Sequence, residues 1–180
     1  MKPALFHFSE DSGIARFEPR PVAVPARRAP GMEWLNGPLV WAIDDWHQPL
    51  YLFPRDCPRI LAWPTDATGT EDRARHWPDA RLRMIAWVET GWMARMEGIT
   101  LHRYTLPDTT FEPLDDAGMW ISREPVAPTR VDAQNDLPAC LAAYDVDLRT
   151  IPDLRQLALL WETSLHVSGI RLRNACYGWP

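Results

Sequence analysis

The chain has 180 residues, 24 acidic and 19 basic, for a formal net charge of −5; a general nucleic-acid binder needs a basic footprint and is excluded. With 46% apolar and 24% charged residues it is not a disordered chain, and its length predicts one domain spanning 1–180. No run reaches the ~18 uninterrupted apolar residues of a membrane helix and the N-terminus lacks an apolar signal core, so no membrane partner and a cytoplasmic location are expected.

Eighteen prolines against nine glycines predict short elements joined by stiff turns, because proline interrupts helices and central strands. Ala4 to Phe8 is the first strand, followed by a turn at Ser9-Glu10-Asp11-Ser12-Gly13 and one helical turn over Ile14 to Phe17. Residues 22–37 form a Pro/Gly-rich loop, a lid candidate. Pro38 to Ile43 reads as a buried strand, and Asp44-Asp45 as the cap of a short helix over Trp46 to Phe53. Ile60 to Trp63 is a strand, and Thr70-Glu71-Asp72-Arg73 opens a short helix that ends before Pro78. Leu82 to Val88 is a strand, Thr90 to Glu97 a helix closed by Gly98, and Ile99 to Leu106 an alternating strand. Met119 to Ser122 and Val126 to Val131 are short strands, Leu137 to Tyr144 a helix that tolerates Pro138 in its first turn, and Val146 to Arg149 a strand. Asp153 to Ser164 reads as the longest helix and Leu165 to Asn174 as the last strand. Strands do not alternate with long crossover helices, so the expected fold is α+β with a bent, split, mostly antiparallel sheet and short helices.

Four segments carry polar groups suited to chemistry. In Leu5-Phe6-His7-Phe8-Ser9-Glu10, His7 alternates with two phenylalanines, so a strand presents an imidazole either to a cleft or to a core hydrogen bond. In Tyr51-Leu52-Phe53-Pro54-Arg55-Asp56-Cys57-Pro58-Arg59, two arginines flank an aspartate and a thiol between prolines. This suits an anion clamp, an Arg–Asp pair that pins the loop, or an activated thiolate; with no base nearby in sequence, Cys57 is not expected to be a nucleophile. Glu124 follows a short strand and precedes Pro125, which orients a carboxylate for a ribose hydroxyl or a cationic sugar, or leaves it as an exposed surface charge. In the last strand, period two puts His166, Ser168 and Ile170 on one face and Arg171 and Arg173 on the other, for an anion or for solvent. No phosphate-binding glycine loop, nucleophile elbow or zinc motif is present, the three cysteines are widely spaced, and no metal is expected. Most of the ten tryptophans should be core, with Trp41 and Trp46 candidates to stack a planar ring.

Leu-Phe-His-Phe-Ser-Glu, Leu-Val-Trp-Ala-Ile-Asp, Tyr-Leu-Phe-Pro-Arg-Asp-Cys-Pro-Arg, Trp-Ile-Ser-Arg-Glu-Pro-Val and Ile-Arg-Leu-Arg-Asn-Ala, at residues 5–10, 39–44, 51–59, 120–126 and 170–175, together resemble a small bacterial family of uncharacterised proteins. More distantly, the strand ending in His7, the Val-Trp-Ala-Ile-Asp strand with the aromatics after it, and the strand running into Ser-Arg-Glu-Pro-Val resemble the three motifs of the ADP-ribosyltransferase-like fold, in its diphtheria-toxin-type branch. That resemblance implies a pentosyltransferase with NAD as substrate. His7 would bind ribose with Ser9 beside it, Trp41 or Tyr51 would stack the nicotinamide, and Glu124 would be catalytic. The paired tyrosines of the toxin branch are missing. Arg55 and Arg59 instead resemble the phosphate-binding set of the RNA 2′-phosphotransferase branch. The expected partner is a nucleotide-type small molecule, and the alternative functions are a non-catalytic nucleotide- or phosphate-binding module and an RNA 2′-phosphotransferase-like activity on the same fold.

Overall fold

The structure, a computed structural model, describes residues 2–77 and 79–179. Its strands are β1 (Leu5–Ser9), β2 (Val40–Asp44), β3 (Arg59–Trp63), β4 (Met84–Glu89), β5 (Leu101–Leu106), β6 (Glu112–Pro113), β7 (Met119–Ser122), β8 (Arg130–Gln134), β9 (Val146–Ile151) and β10 (His166–Ile170). Its α-helices are α1 (Thr70–His76), α2 (Met93–Gly98) and α3 (Leu137–Ala143), supplemented by short 3-10 segments. The class is therefore α+β with mostly antiparallel sheets. No helix among the described residues is long and apolar enough to cross a membrane. By internal contacts the chain divides into two compact units interleaved in sequence, Met1–Tyr51 with Leu101–Ala133 and Leu52–Thr100 with Gln134–Pro180.

The first unit is built on a six-stranded sheet of order β6-β7-β2-β1-β5-β8. β5 accompanies β1 over all five residues, from Leu5 opposite Leu106 to Ser9 opposite His102. β2 accompanies it only at Leu5–Asp44 and Phe6–Ile43. Residues opposite one another in such a ladder point to the same side. One face thus carries Leu5, His7 and Ser9 with Val40, Ala42, Tyr104, Trp120 and Ser122. The other carries Phe6 and Phe8 with Trp41, Ile43, Arg103, Met119 and Ile121. The first face packs Leu5, Val40, Ala42, Tyr104 and Leu106 against Phe17, Phe111 and Val126. The second packs Ile121 and Trp41 against Leu35 and Leu39.

Residues 14–17, expected as a helical turn, are instead a strap across the first face. Phe17 and Val126 exchange two backbone hydrogen bonds (2.8 and 2.9 Å), the Tyr104 hydroxyl donates to the Asp11 carbonyl (2.7 Å) and accepts from the Ile14 amide (3.2 Å), and Phe17 is buried against Tyr104. One isolated helical turn fixes several dihedrals for a single hydrogen bond, so burial of Phe17 decides the conformation. The 22–37 loop contains a 3-10 turn at Glu33–Asn36 that puts Leu35 into the core.

The second unit holds a four-stranded sheet, β10-β3-β4-β9. β3 is antiparallel to β10 and β4, and β9 runs parallel to β4. All five residues of β3 are buried, as suits a strand covered on both faces. Asp136 caps α3 by accepting from the Ala139 amide (3.2 Å), with Pro138 in the first turn. The expected helix over 153–164 is a 3-10 segment, Leu154–Glu162. Three residues per turn align Leu154, Leu157 and Leu160, and all three join the core cluster around Ile60. The expected Gly98 closure does not occur, because Gly98 is the last residue of α2 and Ile99 is its cap. The last strand stops at Ile170. Arg171 adopts a left-handed backbone (φ 58°) and Arg173 lies in a 3-10 turn, so the two arginines do not share a strand face.

Candidate functional site

β1 carries His7 outward from Leu5 along the first face of its sheet. Past Phe6 the β1–β2 ladder ends, and His7 Nδ1 donates to the Trp41 carbonyl at 2.9 Å. A carbonyl only accepts, so Nδ1 carries the proton and, in the neutral ring, Nε2 is an acceptor. Phe17 lies against the imidazole, with ring centroids 4.7 Å apart. His7 is therefore half-buried, fixed in tautomer and orientation, and roofed by the 14–17 strap. The Ser9 hydroxyl oxygen accepts from the Asp11 amide (3.1 Å) and shapes the turn that starts that strap.

Glu124 stands just past β7. Its amide donates to Ser122 Oγ (3.1 Å), which also lies 3.1 Å from the Glu124 carbonyl and 2.9 Å from Thr110 Oγ1. Ser122 is fully buried and Glu124 is exposed. The backbone of Glu124 is thus anchored in the core while its carboxylate faces water.

The aromatic candidates do not lie beside His7. Trp41 points to the opposite face of the sheet, where it packs on Leu35, Leu39 and Ile121, carries the Arg28 guanidinium 5.9 Å from its ring centre, and keeps its indole Nε1 buried without a hydrogen-bond partner. Tyr51 ends the 3-10 segment Gln48–Tyr51, and its hydroxyl donates to Met119 Sδ (3.5 Å), also on that second face. The indole on the His7 face is Trp120, opposite Ala42. Trp120 and Phe17 were not among the expected site residues. Their one signal was strand parity, and parity between strands is unreadable until the register is known.

Arg55, Cys57 and Arg59 belong to the second unit. Arg55 is exposed. Arg59 is only 3% exposed; its Nη1 donates to the Cys57 carbonyl (3.0 Å) and its guanidinium covers the Phe53 ring at 5.0 Å. That is the loop-pinning role, played through backbone and ring rather than through Asp56. Cys57 is fully buried, and burial pushes its thiol up to about 12 against the pull of Arg59. Such a thiol supplies no thiolate near neutral pH. Nearby, the buried Glu89 carboxylate accepts from the Cys176 amide through both oxygens (2.9 and 3.1 Å). A side-chain hydrogen bond between Cys176 and the same carboxylate raises the Cys176 thiol as well. Among the described residues no group of three or more His, Cys, Asp or Glu side chains is placed to hold a metal ion.

No curated protein and no solved structure matches the chain. A family model described as a family of unknown function, DUF6886, matches residues 6–175. That span takes in nearly the whole chain, and the chain belongs to this family.

Proposed function

We propose that the first unit binds NAD through its nicotinamide ribose and breaks the glycosidic bond, passing ADP-ribose to water or to an acceptor. The observation that supports this is the order β7-β2-β1: the three segments that resemble the transferase motifs occupy three hydrogen-bonded neighbours in one sheet. His7 supports it further, because Nε2 is an acceptor suited to a ribose hydroxyl. In this reading Trp120, on the His7 face, takes the stacking role in place of Trp41 and Tyr51. The C–N bond breaks with its electron pair leaving on nicotinamide, and the Glu124 carboxylate stabilises the cationic ribose until water or the acceptor adds and loses a proton. Arg55 and Arg59 take no part.

The test is incubation with NAD and chromatographic measurement of nicotinamide. Glu124→Gln should lower release by roughly 10²-fold or more, and His7→Ala should raise KM for NAD. Release that survives Glu124→Gln removes the carboxylate from the mechanism. NAD binding without release identifies a binding module instead.

A further inference from the structure

In the second unit a cavity of about 310 Å³ opens on the sheet face that carries Ala62 of β3, Trp87 of β4 and Arg149 of β9, and the end of α1 closes it with Arg75, His76 and Trp77. Trp87 and Arg149 are opposite one another on parallel strands, and the guanidinium lies 5.7 Å from the indole centre. Asp147 Oδ2 accepts from both Nε and Nη2 of Arg149 (2.8 and 2.7 Å). That contact fixes the guanidinium plane. Nη1 has no hydrogen-bond partner among the described residues, and neither does the His76 ring. Among the described residues the hydrogen-bonded partner of Arg75 is Glu71 (2.7 Å), a pair 64% and 81% exposed, and the Asp72 carboxylate also feels the charges of Arg75 and His76. An ion pair as exposed as Arg75–Glu71 contributes little and gives way easily to a stronger anion.

The floor and walls are thus aliphatic and aromatic, and the rim offers two guanidinium groups and an imidazole. We infer that this cavity binds a nucleoside monophosphate, with the base against the indoles of Trp77 and Trp87 and the phosphate held by Arg149, His76 and Arg75. Guanidinium forks match phosphate oxygens, and indole faces take planar rings. The volume lies at the lower end of small-molecule sites, which run from ~300 to ~1,000 Å³. It accommodates one base, one sugar and one phosphate, and excludes a dinucleotide. The inference concerns the second unit alone and is independent of the NAD reading.

The test is titration calorimetry of the intact protein with AMP, GMP, CMP and UMP, and with adenosine and inorganic phosphate as half-ligands. At least one monophosphate should bind with a Kd below about 1 mM, and adenosine and phosphate at least roughly tenfold more weakly. Arg149→Gln should weaken the monophosphate roughly tenfold or more, and Arg130→Gln, at an exposed position of the first unit, should leave it unchanged. Arg75→Gln, at an exposed helix position, serves as the second variant should Arg149→Gln fail to fold, and should weaken binding several-fold. The inference is overturned if no monophosphate binds below about 1 mM. It is equally overturned if binding is indifferent to the arginine substitutions, or if the half-ligands bind as well as the whole.

Discussion

Tyr104→Phe isolates the strap that roofs His7. The ring of Tyr104 is fully buried and phenylalanine keeps it, so no cavity opens and the hydroxyl alone is lost. That hydroxyl donates to the Asp11 carbonyl at 2.7 Å and accepts from the Ile14 amide at 3.2 Å. Asp11 is exposed and its carbonyl can turn to water, which limits that loss to about 0.5 kcal/mol. Ile14 is half-buried and its amide is left without a partner, at a cost of about 1 kcal/mol. The sum, about 1–2 kcal/mol, corresponds to a Tm lower by roughly 2–8 °C in a chain of this size. Urea unfolding should show a lower midpoint with an unchanged slope, and amide exchange at Ile14 and Phe17 should accelerate more than exchange in β1. A loss below about 0.3 kcal/mol, or exchange at Ile14 unchanged, would refute the view that Tyr104 staples the strap to the sheet.

Cys57 should stay unlabelled by alkylating reagents in the native protein and react only on unfolding. Its linkage has a definite sign. Above pH 9 the unfolded thiol, with its ordinary value of 9.0, loses its proton, while the buried one keeps it to about 12. The native state then binds more protons, and stability falls as pH rises, by about 1.4 kcal/mol at pH 10 from this group. Cys57→Ala should flatten the urea-midpoint profile between pH 8 and 10 by that amount, and a parallel profile would contradict the buried thiol. Gly118 has φ +72°, and a Cβ there would run into His47 Nδ1 and Asp44 Oδ2. Gly118→Ala should therefore cost roughly 2 kcal/mol or more and break the 2.8 Å contact between those two side chains, visible as a shifted His47 ring signal in NMR.

Local elements were largely legible in the sequence, because alternation and capping are short-range. The apolar Ala4–Phe8 run matches β1, Met119–Ser122 matches β7 residue for residue, and Thr70-Glu71-Asp72 opens α1. Asp44 accepts from the His47 amide at 2.7 Å, but in a turn, and the helix expected over Trp46 to Phe53 is only the 3-10 segment Gln48–Tyr51. Where the local reading failed, burial overrode it. Phe17 preferred a core contact to a helical turn, and Leu154, Leu157 and Leu160 are aligned by a three-residue rather than a 3.6-residue period.

Period two within a strand puts His7 and Ser9 on one face of β1, and Trp41 and Ile43 on one face of β2. Which side of β2 matches which side of β1 depends on the hydrogen-bond register, and a slip of one residue inverts it. The register Leu5–Asp44 puts Trp41 behind the sheet and Trp120 on the face that carries His7. The same holds for the cavity in the second unit, where Arg75, His76, Trp87 and Arg149 come from three segments of chain. Taken one at a time in the sequence, each is an ordinary surface or core residue. Their convergence is a property of strand order, since β9 reaches β4 only as a parallel partner, and pairing between distant segments is set by the packing of the whole sheet rather than by any local pattern.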